Sequence, residues 1–357
     1  MSNTLLSGEA NEDPLHPHCK YSILTAFWPK GVATLVPVTA DQECPWDAYF
    51  RHYTTECRNA IDPDRGEHVT IRHHQDIVDI VKQFEQNKTR EEIKRSIILT
   101  DTQQTSEAVK EKRAEGSIRV VARLFAMVNM GPSSERWELG PESRPWNEAN
   151  HNLKTVLARY FSPSSVDTGS LRFKADLTAF NLKHLIGLKI LWTNNLFDHL
   201  RLMDDDSTVC IFHHATFLRH QTSDVFPENL ISETLKTLDL LFPQRNTRTQ
   251  TWLKSLLSRN NEPHPDVSLL HRNKILYGQR HAMEFVYWRD RLLILKEVLE
   301  EAHHTSIRYF WHDRRNKAQW YTFWIAVIVL CLTAVFGLLQ SIAGILQVYK
   351  AYRPTPK

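Results

Sequence analysis

Three consecutive aspartates and three histidines that follow them are the residues of this chain best suited to chemistry. Asp204, Asp205 and Asp206 occupy a turn, and His213, His214 and His220 come soon after. Carboxylates and imidazoles at one end of a small sheet can bind a divalent metal or act as acid and base. However, adjacent residues of a strand point to opposite sides, and aspartates are common in turns. We therefore predict no metal site or cofactor, and the candidates for a catalytic role are Asp204, Asp206, His213, His214 and His220.

The usual motifs of enzymes are absent from the sequence. None of GxxxxGKS/T, GxGxxG, GxSxG, HExxH or paired CxxC occurs, so phosphate loops, a nucleophile elbow and common zinc sites lack their signatures. His73 and His74 lie beside Asp76 and Asp79, but acidic residues at a helix start are favoured by the helix dipole alone. The missing motifs favour an interaction or regulatory protein over an enzyme.

One segment near the C-terminus is apolar enough to cross a membrane. Residues 318–349 contain no charged side chain, and the run exceeds the roughly 20 apolar residues that a bilayer requires. We predict a transmembrane helix over 320–349, followed by a short tail at 350–357. The residues expected to anchor it at the two interfaces are aromatic or basic: Trp320, Tyr321, Trp324, Tyr349, Tyr352, Arg314, Arg315 and Lys317.

Small residues recur along one face of this predicted span. Thr333, Gly337, Ser341 and Gly344 fall three or four positions apart, which allows another helix to approach closely. A homo-oligomer assembled through this face is therefore one hypothesis. The alternative is that small residues are simply common in membrane helices.

The cysteines and the N-terminal sequence indicate which side of the membrane the body occupies. Five cysteines are scattered without disulfide or metal spacing, which is typical of a reducing compartment. No apolar stretch of signal-peptide length precedes the body. We expect a single-pass, tail-anchored protein with its body in the cytosol, in the endoplasmic reticulum or the plasma membrane. The sequon Asn87-Lys-Thr89 should then remain unmodified.

The first half of the body is predicted to contain a small sheet and helices. A disordered tail covers 1–18, and the region 19–130 begins with strands at 21–27 and 31–38. Ile77, Ile80, Val81 and Phe84 have helical spacing, and a capping box at 89–92 opens the next helix. A further helix ends at Gly131, where a Pro- and Gly-rich linker over 131–150 begins.

The second half, 151–316, is predicted to be a helical region with a small β-meander at about 188–213. Strands are expected at 188–193, 199–202 and 208–212, and helices at 228–242, 249–258 and 279–301. The last helix carries an apolar stripe typical of a core helix. The fold class is mainly α with a minor antiparallel β component, an α+β cytosolic body, plus one C-terminal transmembrane helix.

Charge does not identify a nucleic-acid partner. The formal net charge is only +3, and Glu91 and Glu92 interrupt the basic residues of a helix pair that could resemble a winged helix. Nucleic acid is therefore an unlikely partner. The partners expected are the lipid bilayer, a cytosolic protein and a second copy of the chain.

Five stretches taken together carry a resemblance to known sequences: residues 173–183, 191–202, 211–218, 319–324 and 346–352. They resemble a family of uncharacterised filamentous-fungal membrane proteins with a single C-terminal transmembrane helix. The resemblance covers the second half of the chain well and the first half loosely. It implies a fungal source and the single span, and it assigns no catalytic residue.

Three functions follow as hypotheses. The first is a membrane-tethered interaction or regulatory protein with a cytosolic body. The second is a membrane-surface enzyme that uses the Asp and His residues of 204–220. The third is a homo-oligomer assembled through the transmembrane helix, in which a conducting pore is disfavoured because the span has no ionisable residue.

Overall fold

Helices make up most of the chain that the computed structural model describes, namely residues 17–29, 45–61, 68–103, 105–131, 141–258, 264–305 and 317–352. Two compact units are present, Met1–Val298 and Leu299–Lys357. The helices are α1 (Pro17–Phe27), α2 (Asp47–Ile61), α3 (His74–Glu85), α4 (Arg90–Thr100), α5 (Glu107–Phe125), α6 (Leu153–Tyr160), α7 (Ala179–Asn181), α8 (Ala215–His220), α9 (Leu230–Leu241), α10 (Thr247–Leu257), α11 (Arg289–Thr305) and α12 (Lys317–Ala351). The mainly α fold with a minor β component is confirmed.

Helix α1 replaces the first predicted strand. The residues over 21–27 are rich in aromatic and branched side chains, which favoured a strand, yet Ile23, Leu24 and Phe27 are buried while Thr25 is exposed. A strand would place residues 23, 25 and 27 on one face, whereas a helix groups 23, 24 and 27. The prediction of a strand at 21–27 was therefore wrong because the burial pattern has the helical period.

Helices α3 and α4 form where the sequence predicted them. Ile77, Ile80, Val81 and Phe84 are all buried on α3. The capping box that opens α4 is complete, since the Glu92 amide donates to Thr89 Oγ1 at 3.3 Å and the Thr89 amide donates to Glu92 Oε2 at 2.8 Å. These contacts satisfy amides that the start of a helix otherwise leaves unpaired.

An aromatic core joins the N-terminal helices to α8. Trp28 stacks on Trp46 with ring centroids 5.3 Å apart and meets Phe217 edge-on at 5.3 Å. Tyr49 of α2 packs in the same core, and its hydroxyl donates to the Leu124 carbonyl at 2.9 Å. These large side chains hold α2 and α5 next to the strands described below.

The sheet is mixed, and its central strand is the last one. β1 (Lys189–Thr193), β2 (Leu202–Met203) and β3 (Thr208–Phe212) stand in the order β1-β3-β2. β1 pairs with β3 in parallel, and β2 pairs with β3 antiparallel. The predicted antiparallel meander over 188–213 therefore has the wrong strand order. All five residues of β3 are buried, as expected of a strand with neighbours on both sides.

The helix predicted at 279–301 begins only at Arg289. Before it, the chain forms short 3-10 turns at Gly278–Arg280 and Ala282–Glu284. The carboxylate of Glu233 on α9 accepts hydrogen bonds from three consecutive amides, each at 2.8 Å: Val286, Tyr287 and Trp288. Because a distant carboxylate holds these amides, they cannot join a helical ladder, and this explains the later start.

Helix α12 contains a stretch, Tyr321–Tyr349, that is long and apolar enough to span a membrane. Its apolar side chains are exposed, as shown by Leu330 at 71% and Leu338 at 63%. Lys317 and Trp320 lie at the start of α12, Tyr321, Trp324 and Tyr349 lie within the apolar stretch, and Tyr352 follows it. Their role as interface anchors stays a prediction.

Several predictions fall outside the described residues. These are most of the tail 1–18, the strand at 31–38, residues 132–140 of the linker, and Arg314 and Arg315. Residues 141–150 of the predicted linker are described, and there Trp146 is buried with its ring nitrogen donating to the His151 carbonyl at 3.1 Å.

Candidate functional site

The structure separates the aspartates and histidines that the sequence singled out. Asp204, Asp205 and Asp206 form the exposed turn before β3 and have φ angles of 54°, 50° and 59°. His213 and His214 directly follow the other end of β3. A strand of this length separates its two ends by about 16 Å. Within the described residues no group of three or more His, Cys, Asp or Glu side chains is arranged to hold a metal ion.

The three histidines have structural partners. The ring centroids of His213 and His214 stack 4.0 Å apart, and both side chains are buried. His213 Nδ1 accepts from the Asp266 amide at 3.2 Å, and His214 Nε2 lies 2.7 Å from Asn194 Oδ1. Burial lowers the pKa of both rings, and that of His213 falls to about 3. His220 Nδ1 lies 2.9 Å from the carbonyl of Thr216.

A cavity of about 300 Å³ lies against one face of the sheet. Leu191 and Thr193 of β1 line it together with Cys210 of β3 and Met203 of β2. Leu191 is paired with Cys210 and Met203 with Thr208, so these side chains project from the same face. The cavity floor is therefore mainly apolar, and burial raises the pKa of the Cys210 thiol to about 11.

Helices α2 and α5 supply one wall of this cavity. Glu56 of α2 forms an ion pair with Arg123 of α5, with Oε2 and Nε 2.9 Å apart. His52 lies one helical turn before Glu56 and also lines the cavity. His52 is 8% exposed, and its Nε2 has no hydrogen-bond partner among the described residues. Burial lowers the pKa of His52, so the ring is neutral at pH 7.

The turn after β1 supplies a second wall. Asp198 Oδ1 pairs with Arg201 Nη2 at 3.0 Å, and Asp198 Oδ2 accepts from the Asn195 amide group at 2.8 Å. The backbone amide of Glu142 also donates to Asp198 Oδ1, at 2.9 Å. Burial raises the pKa of Asp198, although these donors and Arg201 act in the opposite sense. The wall is thus a hydrogen-bonded unit that fixes both charges.

A buried layer supports this turn from below. Arg291 of α11 donates to the carbonyls of Phe197 and His199 at 2.6 and 2.7 Å. His199 is fully buried, with Nε2 at 2.7 Å from Thr237 Oγ1 and its ring edge-on to Trp288 at 4.8 Å. Strand β1 and helix α11 together therefore determine where Asp198 and Arg201 lie.

Sequence reasoning missed this cavity. The run Thr193-Asn-Asn195 after a strand, followed by Asp198, is a local cue, because ligands often bind beyond the carboxyl ends of parallel strands. His52, Glu56 and Arg123 come from helices far away in the chain, and no local pattern connects them to the strands.

In the part of the chain that the structure describes, fold and site define a mainly α body with a small mixed sheet, a polar-walled cavity and one helix that is long and apolar enough to span a bilayer. No protein-family profile, curated protein or solved structure matches the chain.

Proposed function

We propose that this chain is a single-pass membrane protein whose cytosolic body is an interaction or regulatory module. The observation that carries the proposal is the exposed apolar stretch Tyr321–Tyr349 of α12. Exposing so many large apolar side chains to water is unfavourable, whereas lipid accommodates them.

The cysteines support a cytosolic body. Cys57 and Cys210 are buried free thiols within Met1–Val298, and Cys19 is also unpaired. Free thiols are the rule in reducing compartments, whereas secreted proteins commonly pair them. The described thiols therefore support placement on the cytosolic side.

An enzyme built on Asp204–Asp206 and the histidines is the less supported alternative, because these groups lie at opposite ends of β3.

The interaction role is supported by exposed apolar side chains on the body. Leu276, Tyr277 and Met283 are 54%, 69% and 63% exposed within one short segment. Exposed apolar groups that cluster in this way are common at protein interaction sites.

Membrane integration tests the proposal directly. The variant Leu330→Lys/Leu338→Lys should move the protein from the carbonate-resistant membrane fraction into the soluble or aggregated fraction, because charges at the bilayer centre are costly. The control Leu99→Lys/Val109→Lys changes two exposed apolar residues of the body outside that segment and should leave fractionation unchanged. Wild-type protein that carbonate extracts from membranes would refute the span.

Topology has a natural reporter in the sequon at Asn87, whose side chain is exposed. A cytosolic body leaves Asn87 unglycosylated, and protease added to sealed microsomes then digests the body. A shift in mass that glycosidase removes and Asn87→Gln abolishes would place the body in the lumen instead.

A further inference from the structure

The cavity against the sheet has the size of a small-molecule site. Its volume of about 300 Å³ lies at the lower end of the range for ligand pockets. A compact molecule of amino-acid size fits this space. The cavity lies entirely within Met1–Val298 and does not depend on the membrane helix.

The charges of the two walls balance. Glu56 and Arg123 form one ion pair, and Asp198 and Arg201 form the other. The formal charge of the lining is therefore zero, so neither a net cation nor a net anion gains from entering it. A zwitterion is favoured, because its ammonium group can bind a carboxylate while its own carboxylate binds a guanidinium.

The remaining lining groups indicate which kind of ligand the cavity can bind. Met127, Leu191, Met203 and Cys210 provide apolar contact surface, and Leu191 is 40% exposed although it stands on a strand. His52 Nε2 is buried and without a partner in the described residues. A buried polar atom without a partner costs free energy, and a bound polar group removes that cost.

We propose that this cavity binds a free α-amino acid with an apolar side chain. Its ammonium and carboxylate groups meet the wall charges of Glu56, Arg123 and Arg201, and its side chain covers Leu191 and the methionines. This binding goes beyond the proposed membrane role and does not rest on it. If the body is a regulatory module, the bound amino acid is a ligand that regulates it.

Calorimetric titration of the full-length protein in detergent tests the proposal with L-leucine and L-methionine as probes. N-acetyl-leucine amide is the matched ligand control, because it keeps the side chain and lacks both charges. Glu56→Gln removes one wall charge and should weaken binding of L-leucine by about tenfold or more. Leu191→Trp should abolish binding by filling the cavity.

Two matched variants outside the cavity control for effects of substitution that do not involve ligand binding. Glu115→Gln breaks a comparable part-buried ion pair with Arg90, and Leu99→Trp enlarges a leucine that is 86% exposed. Both should bind L-leucine as the wild type does. The proposal is overturned if neither amino acid binds the wild type at millimolar concentration, or if N-acetyl-leucine amide binds equally well. The latter comparison uses wild-type protein only, so it holds even if a variant fails to fold.

Discussion

Among the described residues of the body, four histidines are buried in surroundings that disfavour their charged form. Burial lowers the pKa of His52, His199, His213 and His214, and His213 reaches about 3. His213 and His214 stack on each other, and His52 lies 6.1 Å from His214. Arg51 and Arg123 oppose their protonation, whereas Glu56 favours that of His52. Protonation of any of these rings therefore opposes the folded state.

These four histidines should lower the stability of the body as the pH falls below about 6.5. Above that pH the histidines are neutral in both states and contribute nothing. Below that pH the histidines bind protons in the unfolded chain but not in the folded chain. For His213 this difference persists down to about pH 3. Each such histidine adds a slope of about 1.4 kcal/mol per pH unit. This slope is measured by denaturant unfolding at several pH values, with tryptophan fluorescence as the signal.

His213→Asn isolates one of these contributions. Asparagine can still accept the hydrogen bond of the Asp266 amide, and the flatter pH slope expected is measured against the wild type. Buried carboxyls with raised pKa values, such as Asp198 and Asp266, act in the opposite sense but are common to both proteins. The control Leu99→Asn changes an exposed position and no titratable group, so it should keep the wild-type slope. An unchanged slope for His213→Asn would contradict the prediction.

At the scale of elements, α11 and the turn after β1 are held together by one side chain. Arg291→Gln removes the donors to the Phe197 and His199 carbonyls and the contact with Glu142 at 3.3 Å. We expect a loss of about 3 kcal/mol in the free energy of unfolding, because buried acceptors then lack partners. Denaturant titration measures this loss.

Arg95→Gln is the control for that measurement. Arg95 is 73% exposed and pairs with Glu91 on its own helix, so its removal should cost about 0.5 kcal/mol or less. Equal losses for the two variants would show that Arg291 has no special role in joining α11 to the turn.

The helices and strands also show which features of the fold can be predicted from the sequence. The positions of α3, α4, β1 and β3 followed from local periodicity and capping, which the sequence displays directly. The strand predicted at 199–202 was misplaced, because β2 is Leu202–Met203. The strand order did not follow, because pairing depends on contacts between distant residues. The unbroken run Thr208-Val-Cys-Ile-Phe212 indicates that both faces of β3 are covered, but it does not show which strands lie beside it.

The late start of α11 and the missed cavity both had non-local causes. The start of α11 is delayed by Glu233, which lies on another helix and captures three amides. The cavity combines α2 and α5 with the strands, and no spacing rule connects these segments. The Asp and His candidates were adjacent in sequence, but an extended strand carried them apart.

At the scale of the whole molecule, self-association through α12 remains a prediction. Gly337 and Gly344 have open space where a side chain would project, whereas the hydroxyls of Thr333 and Ser341 donate to carbonyls of their own helix at 2.8 and 2.9 Å. Close helix contact would then rest on the glycines. Gly337→Leu should convert an oligomer in detergent into a monomer.

Sizing with light scattering of the detergent complex measures that change. Leu338→Ile retains the bulk of the neighbouring position and serves as the control. Identical masses for wild type and Gly337→Leu would contradict assembly through this face.

The turn of three aspartates with left-handed backbone angles is a suitable site for inserting a label. Asp204, Asp205 and Asp206 are exposed, and they precede β3 rather than follow it. A short fluorescent or affinity tag grafted between them would therefore project into solvent at the far end of the strand from the stacked histidines. The body could be followed in living cells through this internal label, with both chain termini left native.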